Sequence, residues 1–102
     1  VKAPEAMDPQ HPEDISRLAG LFSMASDPTR LRLLLLLLRG ERCVCDLAER
    51  VGVSVSAASH SLRIMRTAGL ILPRRDGRHI YYRLADDHVS VLLTLGLEHI
   101  RE

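Results

Sequence analysis

Residues 44–84 read VCDLAERVGVSVSAASHSLRIMRTAGLILPRRDGRHIYYRL, and the punctuation of this stretch decides the fold. A short amphipathic run, Val44 to Val51, stops at Gly52, and Ser54 then opens a second helix that continues to about Ala68. Serine at an N-cap accepts from a backbone N–H of the first turn, and glycine takes the left-handed conformation that ends a helix. Ala48, followed four residues later by Gly52 and then by a capped helix, fits a helix-turn-helix, since small residues allow close packing and glycine permits the turn. After Gly69 come two apolar-basic runs, Leu70 to Arg75 and Arg78 to Leu84, separated by Asp76-Gly77. Asp-Gly between such runs is a strong hairpin signal. In the second run Ile80, Tyr82 and Leu84 alternate toward the core, with His79 and Arg83 facing out. A helix-turn-helix followed by a basic hairpin is a winged helix, so the expected class is mainly α with a small β-hairpin.

Upstream, Asp27-Pro28 is an N-cap followed by proline at the first helical position. The helix it opens is expected to run to about Arg39, halted by Gly40, and its leucines cover more than one face, which places it at the centre of the domain. Ile15, Leu18, Leu21 and Phe22 recur at helical spacing, predicting an earlier helix over Glu13 to Ala25. Residues 1–12 hold Pro4, Pro9 and Pro12 and are expected to form a mobile arm, leaving residues 13–102 as one domain. The chain opens on Val1 rather than Met, so its natural start is expected to be missing.

At 102 residues a dimer interface would help to complete the core. The only aromatics are Phe22, Tyr81 and Tyr82, so that core is built from Leu, Ile, Val and Ala. The net charge of +1 conceals a gradient. Between His60 and Arg83 stand Arg63, Arg66, Arg74, Arg75, Arg78 and Arg83 against a single acid, Asp76, while both flanks lean acidic. A basic middle is the footprint of a DNA-facing surface, although a solvated arginine-rich hairpin carries the same composition. Ser54, Ser56, Ser59 and His60 lie in the N-terminal half of the second helix of the motif, where short side chains let a helix sink into a major groove, and Arg63 can reach a phosphate. Arg74, Arg75 and Arg78 on the wing are expected to add sequence-independent phosphate contacts. Leu33 to Leu38 is too short to span a membrane, and no signal segment opens the chain; the expected location is the cytoplasm. Cys43 and Cys45 stand one residue apart, a spacing that strains a disulfide. HExxH and any nucleophile constellation are absent from the sequence, so no enzyme is expected.

The last segment, Val89 to Arg101, reads as one helix flanked by Asp86-x-His88 and His99-x-x-Glu102. His88 and His99 are eleven residues apart, hence on one face to within roughly 20° but separated by about 16 Å along the axis. Imidazole nitrogens bind zinc at about 2 Å, so one helix cannot close both ends on one ion. An antiparallel copy can, which suggests a symmetric homodimer with paired C-terminal helices and two inter-subunit sites. A polar helix with two ordinary histidines has the same spacing.

Asp27-Pro28-Thr29-Arg30-Leu31-Arg32-Leu33-Leu34, Glu41-Arg42-Cys43-Val44-Cys45-Asp46-Leu47-Ala48, Ser56-x-x-Ser59-His60-x-Leu62-x-x-Met65 and Gly77-Arg78-His79-x-Tyr81-Tyr82 stand in this order. Together they resemble the ArsR/SmtB family of metal-sensing winged-helix repressors, over roughly Leu18 to Glu102. The resemblance implies a homodimer that binds double-stranded operator DNA, an imperfect inverted repeat, and leaves it on binding metal. It implies a zinc site at Asp86, His88, His99 and Glu102, two from each chain, which also tolerates cobalt. It further implies a second metal site at Cys43, Cys45 and Asp46, suited to cadmium or lead. Relatives that use that site add cysteines from the N-terminal arm, whereas this arm offers His11, Asp8 and Met7. Arsenic sensors add a cysteine after the pair, where this chain has Ala48. Small buried cysteines at a helix start remain the alternative. His60 and His79 read as a DNA contact and a wing residue rather than as ligands.

Overall fold

A computed structural model describes residues 11–102; the arm expected over residues 1–12, with Met7 and Asp8, lies almost wholly outside them. Pro12 belongs to the first helix rather than to the arm. The order is α1 (Pro12–Ala25), α2 (Pro28–Leu37), β1 (Arg42–Cys43), α3 (Val44–Val51), α4 (Val55–Thr67), β2 (Ile71–Asp76), β3 (His79–Leu84) and α5 (Asp87–Ile100).

The helix boundaries follow from side chains that satisfy orphan backbone groups. Asp27 accepts from the Arg30 N–H at 3.0 Å, with Pro28 in the first turn, and so fixes the start of α2. The Arg30 Nε donates to the Met24 carbonyl at 2.8 Å, tying α2 to the end of α1. Gly52 takes φ 79° as the C-cap of α3, and the Gly52 and Val53 N–H groups both donate to the Ala48 carbonyl. That left-handed residue turns the chain so that Ser54, accepting from the Ala57 N–H at 3.0 Å, starts α4 at once. Two caps and one glycine therefore set the helix-turn-helix.

The core sits where α2, α3 and α4 meet the inner face of the sheet. Leu33, Leu34 and Leu37 of α2, Leu47 and Ala48 of α3, Ala58, Leu62 and Met65 of α4, and Ile71 and Tyr82 of the sheet are all buried. α2 is thus the central helix, as its leucines predict, although it ends at Leu37 rather than Arg39.

The hairpin is joined by a strand the sequence pattern did not reveal. β1 pairs antiparallel with β3, Arg42 opposite Tyr82 and Cys43 opposite Tyr81, giving a three-stranded sheet ordered β1-β3-β2. The turn is also displaced by one residue. Asp76 pairs with His79, so the two-residue loop is Gly77-Arg78, not Asp76-Gly77. Gly77 alone has positive φ there, 62°, which matches a turn with glycine first rather than the Asn/Asp-Gly type.

α1 buries no residue, and Ile15, Leu18 and Phe22 are about half exposed; Leu21 and Met24 are what it packs against the core. α5 buries Val89 and Leu93 but leaves Val91, Leu92, Leu95 and Ile100 exposed. Both terminal helices therefore carry an apolar face that the described residues of this chain leave uncovered.

Candidate nucleic-acid interface and metal centres

α4 presents its polar side chains at helical spacing. Ser56, His60 and Arg63 are exposed at i, i+4 and i+7, Ser54 is exposed at the N-cap, and Ser59 is half-buried beside them. Ala58, Leu62 and Met65 on the opposite side are fully buried. One face anchors the helix, and the other offers hydroxyls, an imidazole and a guanidinium from a rigid support.

The wing arginines divide into two kinds. Arg74 Nε donates to Glu41 Oε1 at 2.9 Å, and its guanidinium carbon lies 4.7 Å from the centre of the Tyr81 ring. The carboxylate bond holds Glu41 below its ordinary pKa and the arginine above its own. Arg74 is thus a brace between the α2–β1 connection and β2, its charge largely answered within the chain. Arg75 and Arg78, near the tip, are exposed and have no acidic partner among the described residues.

The four residues expected from the sequence to bind zinc fall into two pairs. At the start of α5, His88 Nδ1 lies 3.6 Å from Asp86 Oδ1, and at its end His99 Nδ1 lies 3.8 Å from Glu102 Oε2. Tetrahedral bonds of 2.0–2.1 Å put neighbouring donors about 3.3 Å apart, so each pair is close to chelating distance. The His88 side chain is 98% exposed and that of His99 83%. Asp86 also caps α5, accepting from the Val89 N–H at 3.2 Å through Oδ1, and its second oxygen leaves it able to bind an ion. Among the described residues, neither end assembles more than two such donors.

The cysteine cluster differs from expectation. Cys43, Cys45 and His79 have ligand atoms within 4.8 Å of one another, with Cys43 Sγ 3.9 Å from His79 Nδ1. Asp46 does not join them. It is bonded to Arg42 Nη1 at 2.9 Å and to Arg50 Nε at 3.0 Å, and these arginines, Arg42 foremost, hold its carboxyl below the ordinary range. His79, read from sequence as a wing residue only, is the third member. β1 explains why: Cys43 stands opposite Tyr81, and His79 is two residues away on the same face of β3. The pairing of a two-residue strand leaves no periodic trace, so no sequence signal marked His79. His11, the arm ligand inside the described residues, is instead at the α1 N-cap, 3.9 Å from Asp14. The Cys43 thiol, hydrogen-bonded to Cys45, holds the Cys45 pKa above its ordinary value.

Comparison with known proteins identifies the family and the fold. Residues 27–71 match the family model described as bacterial regulatory protein, arsR family. A transcriptional repressor SmtB homolog from Synechocystis is 48% identical over 90 residues, covering 88% of this chain and 68% of that protein. A cadmium resistance transcriptional regulatory protein CadC homolog from Staphylococcus aureus is 36% identical over 102 residues, covering 99% of this chain and 82% of its own. Among solved structures, the homodimeric winged helix-turn-helix DNA-binding domain of a possible ArsR-family transcriptional regulator from Mycobacterium bovis superposes with a TM-score of 0.86. It is 28% identical, over 97% of this chain and 92% of that one.

Proposed function

This chain belongs to the ArsR family of bacterial regulatory proteins, and from that premise we propose that it is a cytoplasmic, homodimeric transcriptional repressor released from its operator by zinc. The observation that carries the zinc reading is the arrangement of donors on α5: two exposed two-donor pairs, one at each end of a single helix. Two nitrogens and two oxygens form a set that suits zinc and tolerates cobalt. The residues present fit such an ion once an antiparallel partner helix brings Asp86 and His88 of one chain beside His99 and Glu102 of the other.

The uncovered apolar residues of α1 and α5 supply the means of pairing. Ile15, Leu18, Phe22, Val91, Leu92, Leu95 and Ile100 are 41–75% exposed in the single chain, and burying such side chains against a second copy stabilises by roughly 25 cal/mol for each Å² removed from water. In the dimer the two α4 helices enter successive major grooves, about 34 Å apart, so the operator is an imperfect inverted repeat. Ser54, Ser56, Ser59 and His60 face the groove, Arg63 reaches its edge, and Arg75 and Arg78 meet flanking phosphates.

An ion shared between chains supplies a cross-link at each end of the α5 pair. His88 and His99 hold their helices in one relative orientation when ligated, and the winged heads attached through β3 must follow. If that orientation fits the operator less well, metal and DNA oppose one another by a coupling of about 1–3 kcal/mol, or roughly 5–150-fold in affinity. Reciprocity requires DNA to weaken zinc binding by the same factor.

The test is a zinc titration of the complex with an operator selected in vitro. His99→Ala should keep operator affinity and lose release by zinc; unaltered release would refute the assignment. A second reading, release by cadmium or lead at Cys43 and Cys45, is favoured by their approach to His79. Cobalt separates the two. Thiolate ligation gives an intense near-ultraviolet charge-transfer band, whereas the histidine–carboxylate set gives only tetrahedral d–d bands.

A further inference from the structure

We propose that Glu41 is a positioning residue of the DNA interface: it holds Arg74 across the outer face of the sheet, away from phosphates, and so limits the sequence-independent affinity of the wing. The inference rests on reading the wing as a DNA contact and uses none of the metal donors. Glu41 lies just ahead of β1 and itself offers DNA nothing but a negative charge.

The reach of Arg74 makes the contact informative. Arg74 stands on β2 opposite Tyr81 of β3, and β3 separates β2 from β1. Neighbouring strands lie about 4.8 Å apart, so the two side chains together bridge roughly 10 Å of sheet. Arg74 passes over the Tyr81 ring, its guanidinium carbon 4.7 Å from the ring centre. Its Nε and Nη2 both donate to Glu41 Oε1, Nε at 2.9 Å.

An exposed ion pair by itself holds weakly. Three features strengthen this one. Two guanidinium nitrogens converge on one oxygen, the aromatic face supports the cation, and the Glu41 side chain is only 29% exposed against 51% for Arg74. The other acid near Arg74 is a poor substitute, with Asp76 Oδ2 3.9 Å from Nη1 on a side chain 71% exposed. Arg74 chiefly, and Arg83 to a lesser degree, hold the Glu41 carboxyl below its ordinary range, so a single carboxylate answers two cations of the sheet.

The consequence falls on DNA affinity. A phosphate that takes Arg74 replaces one charge-assisted bond with another and forfeits the ring contact, so little is gained. Arg75 has no such bond to give up among the described residues. Withholding one cation per chain leaves the dimer two phosphate contacts short of what its composition offers. A repressor displaced by a ligand through a finite coupling needs its DNA affinity kept within that range.

The experiment is a salt titration of binding to a generic duplex, followed by fluorescence anisotropy, for the full chain as wild type, Glu41→Ala, Arg74→Ala and the double variant. Each phosphate contact contributes about 0.9 to the slope of log affinity against log salt, and the dimer gains two, so Glu41→Ala should steepen the slope by about 1.8. It should bind more tightly at low salt and lose roughly twelvefold more affinity than the wild type between about 50 and 200 mM. The double variant should return to the slope of Arg74→Ala alone. A loosened sheet would weaken binding rather than strengthen it, and weaker binding by Glu41→Ala would overturn the proposal. So would an unchanged slope, or a gain that persists in the double variant and therefore comes from the lost negative charge alone. Arg75→Ala tells the failures apart: if it flattens the slope while Glu41→Ala does nothing, only the role of Glu41 falls, and if neither variant responds, the wing reading falls with it.

Discussion

Replacing Arg75 by alanine tests whether the wing reads phosphates, and its effect can be worked out in advance. Arg75 is exposed near the end of β2, opposite Ile80, with no acidic partner among the described residues. Each phosphate contact contributes about 0.9 to the slope of log affinity against log salt. A symmetric dimer loses two contacts, so the slope should become shallower by about 1.8. Between about 50 and 200 mM salt the wild-type dimer should then lose about twelvefold more affinity than the variant. Fluorescence anisotropy on a generic duplex suffices, because these contacts carry no sequence information. Arg74→Ala is the internal control. Its guanidinium is already committed to Glu41 and stacked on Tyr81, so it should change the slope by less than half as much. An unchanged slope for Arg75→Ala, or equal changes for the two variants, would refute the division of the wing into a brace and a phosphate contact.

Leu62→Ala empties a fully buried site on the inner face of α4 and should cost about 2–5 kcal/mol in urea denaturation; a cost under about 1 kcal/mol would mean that α4 is not anchored there. Gly52→Ala meets no atom within 4 Å, so its cost is backbone strain at φ +79° alone, about 1–2 kcal/mol by the same measurement. Were it neutral, the left-handed turn would not be fixing the helix-turn-helix. For acid stability the sign follows from Glu41 and Asp46, whose folded pKa values are depressed by Arg74 and by Arg42 with Arg50. Such groups stabilise above their unfolded pKa, and that stabilisation is lost as pH falls through the folded values, below the ordinary carboxylate range. The melting temperature of the wild type should therefore fall more steeply on acidification than that of Glu41→Gln/Asp46→Asn. Parallel curves would show that these ion pairs add nothing, as exposed pairs often do.

Much of the fold is legible because it depends on local chemistry. Asp27 and Ser54 cap, Gly52 turns, and α2 is buried because its leucines cover several faces. Those requirements act over three or four residues, so their spacing survives in the sequence. The closeness of Asp86 to His88 and of His99 to Glu102 is legible for the same reason, each pair lying within one turn. The errors fall where strand pairing or packing between elements decides. β1 is two residues long and owes its existence to β3, some forty positions on. The hairpin loop moved by one residue because pairing of Asp76 with His79 outweighed the preference of Asp-Gly for the turn itself. The helical spacing of Ile15, Leu18 and Phe22 predicted a helix correctly but not which surface it covers.

Residue type and spacing alone specify the helix-turn-helix, the basic wing, and the separation that keeps one α5 helix from closing both its ends on a single ion. Which groups are available to act depends instead on how the elements pack. Packing commits Arg74 to Glu41 and Asp46 to its two arginines, and it brings His79 beside Cys43 and Cys45. The reason is physical: a residue's type states which partners it accepts, but only the packing of separate elements selects among them.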